Sequence, residues 1–306
     1  MTGVRPVTGV TRTLASALIL ALLCVLPAFA QAQKLLHSER SLYREVLVYE
    51  TAGQRCMCFT RNCRIGRQSC MDMRHPDRIA LNYPKLMLAS LYIKPQPRSI
   101  LIIGLGGGTL PRALVKALPD VAIDVVEIDP AVVSVAKQYF GFTTSDRVRV
   151  IEMDGRVYVK RAIREQRRYD LIMLDAFDHE YIPEHLLTRE FLREVKTLLA
   201  PDAVLAANTF SSSRLYDHES VTYAAVFGTF FNLKQDNRVI LATNATAPTR
   251  QQLVANSRIH EDVLKPMGVD APKILGLFST KQDWNARARV LTDQYSPANL
   301  LNLQKE

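Results

Sequence analysis

The sequence lacks internal repeats, low-complexity tracts and any strong single-residue bias. With 13 Gly and 15 Pro among 306 residues it is not collagenous, and with 48% hydrophobic against 23% charged residues it is not a disordered chain. Long apolar runs are scarce: only one stretch near the start approaches a membrane span, which excludes a multi-span protein. Neither a G-x-S-x-G elbow nor a Walker-type loop occurs, so the hydrolase and nucleotide-triphosphatase readings fall away. Acidic residues are in deficit, 30 against 39 basic, giving a formal charge of +9. That excess attracts anions at long range and says nothing about fold.

Residues 1–33 carry Arg5 and Arg12, no acid, an apolar run over 14–30, and small residues at Ala28, Ala30 and Ala32. A basic start, an apolar centre and an A-x-A pattern are the parts of a secretory signal, and they predict export, with the periplasm as destination. An uncleaved membrane anchor is the competing reading, because the run is close to the ~17-residue minimum for spanning. Apart from Cys24, the cysteines cluster as Cys56, Cys58, Cys63 and Cys70. An even, clustered set in an exported chain predicts two disulfides; zinc and free thiols are the alternatives. A hairpin that pairs Cys56 with Cys70 would leave Cys58 for Cys63, one of three connectivities.

Strands are expected at 43–50, 55–60 and 67–73, with Ala52-Gly53 as a turn, and a helix opening at Asn82-Tyr83-Pro84 and running to about Tyr92. These elements make a small β-rich domain over 34–95, with Pro95-Gln96-Pro97 as its boundary. From 96 to 306 apolar strands alternate with helices: strands at 99–104, 121–128, 147–153, 169–174, 203–208 and 238–243, with helices that include 183–199 and 215–231. That alternation predicts a Rossmann-like, doubly wound parallel sheet covered on both faces. The end of the chain, 249–266 and 283–301, reads as mostly helical.

Chemistry concentrates where these strands end. The run Leu101-Ile-Ile-Gly-Leu-Gly-Gly-Gly-Thr-Leu110 feeds an apolar strand into a turn rich in glycine (Gly104, Gly106, Gly107, Gly108) and then into a helix. Such a turn lets backbone amides approach a ligand. The next strand ends Val125-Val-Glu-Ile-Asp129, placing Glu127 where a carboxylate accepts the hydroxyl hydrogens of a ribose. At Met153-Asp154-Gly155, Asp154 is either an adenine contact or a helix cap. Asp175 and Asp178 close the fourth strand at Leu174-Asp-Ala-Phe-Asp178, where they can hold a cation and take its proton. Arg156, Lys160, Arg161, Arg164, Arg167 and Arg168 lack interleaved aromatics, so they read as a solvated face and not as a nucleic-acid site. His179, Glu184 and His185 match no zinc spacing, and no metal site is expected.

The glycine loop, V-E-I-D, D-G and D-x-x-D followed by Pro183-x-x-Leu-Leu-Thr-x-Glu-Phe191 resemble the spermidine synthase (polyamine aminopropyltransferase) family over roughly residues 40–240. The small β domain and Arg67-Gln68-Ser69 are similar to that family too. The resemblance implies Gln68 and Glu127 at the nucleoside, Asp154 at the adenine with Gly155 beside it, Asp175 as acid–base, Asp178 at the amine and Tyr83 near the reacting centre. It implies decarboxylated S-adenosylmethionine as co-substrate, no permanently bound cofactor, a small amine such as putrescine as acceptor, and a homodimer. Two positions depart from the family pattern. Gly107 stands where an aspartate grips the aminopropyl ammonium, and Lys85 replaces a carboxylate, a change that would repel a diamine. Gly107 motivates the alternative of methyl transfer from S-adenosylmethionine. A non-catalytic nucleoside- or polyamine-binding protein is the third reading.

Overall fold

The computed structural model describes residues 1–4, 33–63, 66–177, 182–209, 212 and 214–303. Residues 5–32 of the predicted leader, Asp178 and His179 therefore lie outside the described residues, and Lys34–Glu306 form one contact-linked unit.

The chain first builds an antiparallel four-stranded meander: β1 (Lys34–Arg40), β2 (Glu45–Thr51), β3 (Gln54–Cys58) and β4 (Arg67–Asp72). Ala52 and Gly53, both at positive φ (50° and 77°), make the two-residue turn that pairs Thr51 with Gln54. Strand β1 carries no alternating apolar pattern, and the sequence reading had no strand there. Cys56 lies opposite Cys70 in the ladder and is bonded to it, while Cys58 is bonded to Cys63. This is the pairing that the hairpin geometry favours. The four buried half-cystines pack on Tyr49, Ala80 and Leu81. Helix α1 (Asn82–Leu88) follows, continued by a 3₁₀ turn over Ala89–Tyr92. Leu81 and not Asn82 is the N-cap, and no side chain caps it.

The larger sheet has the order β10-β11-β9-β8-β5-β6-β7, where β10 is Phe231–Lys234 and β11 is Arg238–Thr243. Five parallel strands, β5 (Ser99–Ile103), β6 (Ala122–Glu127), β7 (Val148–Glu152), β8 (Tyr169–Leu174) and β9 (Leu199–Thr209), form its body. Residues of β5 alternate between the two layers, with Ile100 and Ile102 in one core and Leu101 and Ile103 in the other. Both faces are thus covered, as a run without polar interruption requires. The chain leaves β5 toward β6 and β7, then returns to its other side at β8. The carboxyl ends of β5 and β8 flank the point where the strand order reverses, the place where open α/β sheets bind ligands. Helices α2 (Thr109–Ala117), α3 (Pro130–Tyr139), α4 (Gly155–Arg164), α5 (Arg189–Leu198) and α6 (Leu215–Phe227) make the crossovers.

Several boundaries differ from expectation for identifiable reasons. The predicted helix over 183–199 is a 3₁₀ turn, Glu184–Leu186, followed by α5, because Thr188 Oγ1 accepts from Phe191 N and opens a new helix. The predicted helix over 215–231 stops at Phe227, where Gly228 takes φ 71°. Strand β10 (Phe231–Lys234) then runs antiparallel into β11 (Arg238–Thr243), and β11 pairs antiparallel with β9. One edge of the sheet is therefore a hairpin. Near the end, Ala271–Leu277 is helical, while most of 283–297 is not. Arg156 also leaves the solvated face assigned to it. It is 9% exposed and bonded to both Glu194 and Asp293, which raise its pKa.

Candidate functional site

A cavity of about 250 Å³ opens at the carboxyl ends of β5 to β8, roofed by Tyr43, Arg44, Phe59 and Gln68 from the small sheet. Its apolar walls include Ile128, Val132, Met153, Phe177 and Leu186. Of the residues expected from sequence, Gln68, Tyr83, Gly104, Gly106, Glu127, Asp154, Gly155 and Asp175 all line it.

Gly104 shows why the first position of the loop is glycine. Its φ is +100°, and a Cβ there would overlap the Asp175 carbonyl oxygen. The loop and the end of β8 touch backbone to backbone, and Asp175 N donates to Ile103 O at 2.8 Å. A Gly104→Ala variant should lose about 3 kcal/mol of stability, a strain cost read from denaturant unfolding at neutral pH. Gly107 and Gly108 do not line the cavity. Gly107 N donates to Ser69 Oγ at 2.8 Å, and a Cβ at Gly107 would press on Ser69 and Phe140; one at Gly108 would press on Phe142. A Cβ at 107 would thus point at protein.

Glu127 is 9% exposed and held by its own neighbourhood. Oε2 accepts from Leu105 N at 2.9 Å and Oε1 from Asp129 N at 3.0 Å. Burial raises its pKa, while those two amides and the charge of Arg44 oppose the rise. A carboxylate offers about four acceptor positions, so two remain after the amides, enough for a vicinal diol. Asp129 caps α3 through Ala131 N and accepts from Ser41 Oγ at 2.6 Å, tying the β1–β2 loop to this corner.

Asp154 caps a helix and also lines the cavity. Oδ1 caps α4, accepting from Arg156 N and Val157 N, both at 2.9 Å. The residue lines the cavity, and its Oδ2 meets His185 Nε2 at 2.8 Å. His185, considered from sequence only as a metal ligand, is instead the partner of this carboxylate. Among the described residues no group of three His, Cys, Asp or Glu could hold a metal ion.

Asp175 sits deep in the cavity, with part of its surface on the void. Burial pushes its pKa up to about 7; hydrogen bonds from Asn208 and Tyr83 lower it, and the nearby Glu127 charge raises it. Asn208 Nδ2 donates to Asp175 Oδ1 at 3.0 Å. The Tyr83 hydroxyl stands between the Gln68 carbonyl, at 3.3 Å, and the Asp175 carboxylate; its own pKa is raised well above normal by burial and by Asp175. Lys85 does not face this site. It lies outside the cavity, and burial together with the charges of Arg78 and Lys273 lowers its pKa. The expected repulsion of a diamine is not set up, because Tyr83 and Lys85 leave α1 on different sides.

The sequence reading missed the roof residues Tyr43, Arg44 and Phe59, which belong to no motif. It also missed Asn208, although the signal was present. Ala-Ala-Asn208-Thr ends an apolar parallel strand on polar residues, just as β6 ends on Glu127 and Asp175 directly follows β8.

Comparison with known proteins places this geometry. Residues 85–253 match the family profile described as Spermine/spermidine synthase domain. A Polyamine aminopropyltransferase of Vibrio vulnificus is 45% identical over 291 residues, covering 93% of this chain and 97% of the relative. Spermidine synthase from Thermotoga maritima superposes with a TM-score of 0.57 at 17% identity, over 78% of this chain and 90% of that one. Human Methyltransferase-like protein 13 in complex with SAH gives a TM-score of 0.55 at 25% identity, over 72% of this chain and 100% of that one.

Proposed function

Because the chain belongs to the spermine/spermidine synthase family, we propose that it is an aminopropyltransferase whose cavity takes decarboxylated S-adenosylmethionine and a small amine. The observation that carries this reading is the pairing of two carboxylates with opposite tasks in one cavity. Glu127, anchored by two backbone amides, accepts from the ribose hydroxyls. Asp175, with its pKa near 7, manages the proton of the amine. Asp154 and Met153, which line the same cavity, take the adenine, and Gln68 closes the roof.

The amine must attack as a free base. An alkylammonium of pKa ~10 is only about one part in a thousand neutral at pH 7, a cost of about 4 kcal/mol. Asp175 accepts one proton from the ammonium, and the freed lone pair attacks the methylene carbon bonded to the sulfonium sulfur. The carbon–sulfur bond breaks, its electrons stay on sulfur, and neutral methylthioadenosine leaves. The product nitrogen keeps its positive charge as a secondary ammonium, and Asp175 returns its proton to solvent. A base whose pKa lies close to working pH is matched to that task. By family resemblance Asp178 contacts the amine. Two disulfides in the small sheet support action in an oxidising compartment.

Purified protein mixed with the decarboxylated donor and putrescine should release methylthioadenosine. Absence of release with every diamine supplied would refute the proposal. One observation favours methyl transfer as a second reading: Arg44, a cation suited to the carboxylate of a methionine moiety, lines the cavity. Calorimetric competition between the two donors decides, and tighter binding of the decarboxylated one removes that reading.

A further inference from the structure

Two residues in the turn between β10 and β11 reach the reacting corner from behind. Asn237, just before β11, donates from Nδ2 to Asn208 Oδ1 at 3.1 Å. Asn208, 7% exposed at the end of β9, passes its own Nδ2 to Asp175 Oδ1 at 3.0 Å. Asp236 accepts from Asn82 Nδ2 at 2.7 Å, one residue before Tyr83 on α1. The antiparallel ladder makes this possible, because Val239 pairs with Asn208 and Arg238 with Thr209, bringing the turn level with the end of β9.

We infer that this turn is a positioning device for the Asp175–Tyr83 pair, in which Asn237 fixes the polarity of the Asn208 amide and so decides that Asp175 meets a donor. The inference rests on the aminopropyltransferase reading for its kinetic consequence, but not for its geometry. A side-chain amide has one accepting and one donating end. With Asn237 donating to the oxygen of Asn208, the nitrogen must face Asp175. Turning that amide over would set a carbonyl oxygen against a carboxylate, and the charged form of Asp175 would lose one of its two donors. Neither Asn208 nor Asn237 lines the cavity, so both act through Asp175. Among the described residues, the titratable groups that act on Asp175 are Tyr83 from α1 and Glu127 at the end of β6. Asn208, the further partner on β9, carries no charge.

The test uses Asn237→Asp and Asn208→Leu in the full chain. An aspartate at 237 can only accept, so it draws the amide nitrogen of Asn208 and leaves the oxygen toward Asp175. Asn208→Leu removes the donor altogether. In each, the acid limb of the kcat–pH profile should move upward by about one unit, with little change in KM for the donor. The same shift is read without turnover from the ¹³C carboxyl titration of Asp175, assigned by its loss in Asp175→Asn. Asn237→Ala, which frees the amide without inverting it, should shift less than Asn237→Asp and guards against a misfolded variant. An Asp175 titration that stays put in all three, with the wild-type circular dichroism retained, overturns the inference. Failure of the wild type to release methylthioadenosine refutes the functional reading instead and leaves the titration to decide on the turn.

Discussion

Asp175→Asn is expected to lower the rate of methylthioadenosine release by about a thousandfold, within the range for loss of a general base, while nucleoside affinity stays close to wild type. The wild-type kcat should rise with pH through about 7, the value to which burial pushes Asp175. The carboxylate is the acting form, so activity is lost below that point and level above it. The variant should lack this limb. Stability separates chemical loss from unfolding. Asp175 ionises near 3.8 in an unstructured chain and near 7 here, so between those values the folded state binds more protons. Its stability therefore falls as pH rises from about 4 to about 7 and stays lowered above. Asn at 175 has no such proton to lose, and at pH 8 the variant should melt no lower than wild type. Turnover retained in Asp175→Asn would remove the proposed mechanism.

Glu127→Ala is expected to weaken methylthioadenosine binding by about a hundredfold or more in calorimetry. Two hydrogen bonds from hydroxyls to a carboxylate are at stake, each worth about 1.5–3 kcal/mol. The substitution acts twice, because Glu127 also accepts from Leu105 N and Asp129 N. Those amides would then be left without their acceptor, and the glycine loop would lose its tie to β6. A fall in thermal midpoint should therefore accompany the lost affinity. Glu127→Gln, which keeps the size but turns one donor toward a backbone N–H, should lie between alanine and wild type. Unchanged nucleoside affinity in Glu127→Ala would show that the adenosine does not dock at this corner.

The parallel core was legible because its strands obey local rules. Ser99–Ile103, Ala122–Glu127 and Tyr169–Leu174 are apolar runs closed by glycine or acid, and such runs fit only a sheet buried on both faces. Carboxylates at their carboxyl ends were legible by the same logic, since that end is where such sheets expose their loops to ligand. The β10–β11 hairpin was hidden. Its first strand has four residues directly after a helix, with Gly228 as the main local sign of the break. Strand β1 was hidden too, as a largely exposed edge without an apolar stripe.

What the sequence determined by itself is a Rossmann-like sheet, a small disulfide-bearing β unit before it, and the positions Glu127, Asp154 and Asp175 along the chain. Periodicity, turn residues and cysteine spacing are local, so they survive without knowledge of the fold. Tertiary structure alone decided that Lys85 lies outside the cavity, that Gly107 is packed against Ser69 and Phe140, and that Asp154 both caps α4 and lines the cavity. It also brought Asn237 to Asn208 and Asn208 to Asp175 across 29 and 33 residues of chain. Contacts of that kind depend on strand order and on which way each side chain leaves its element, and no local pattern encodes either.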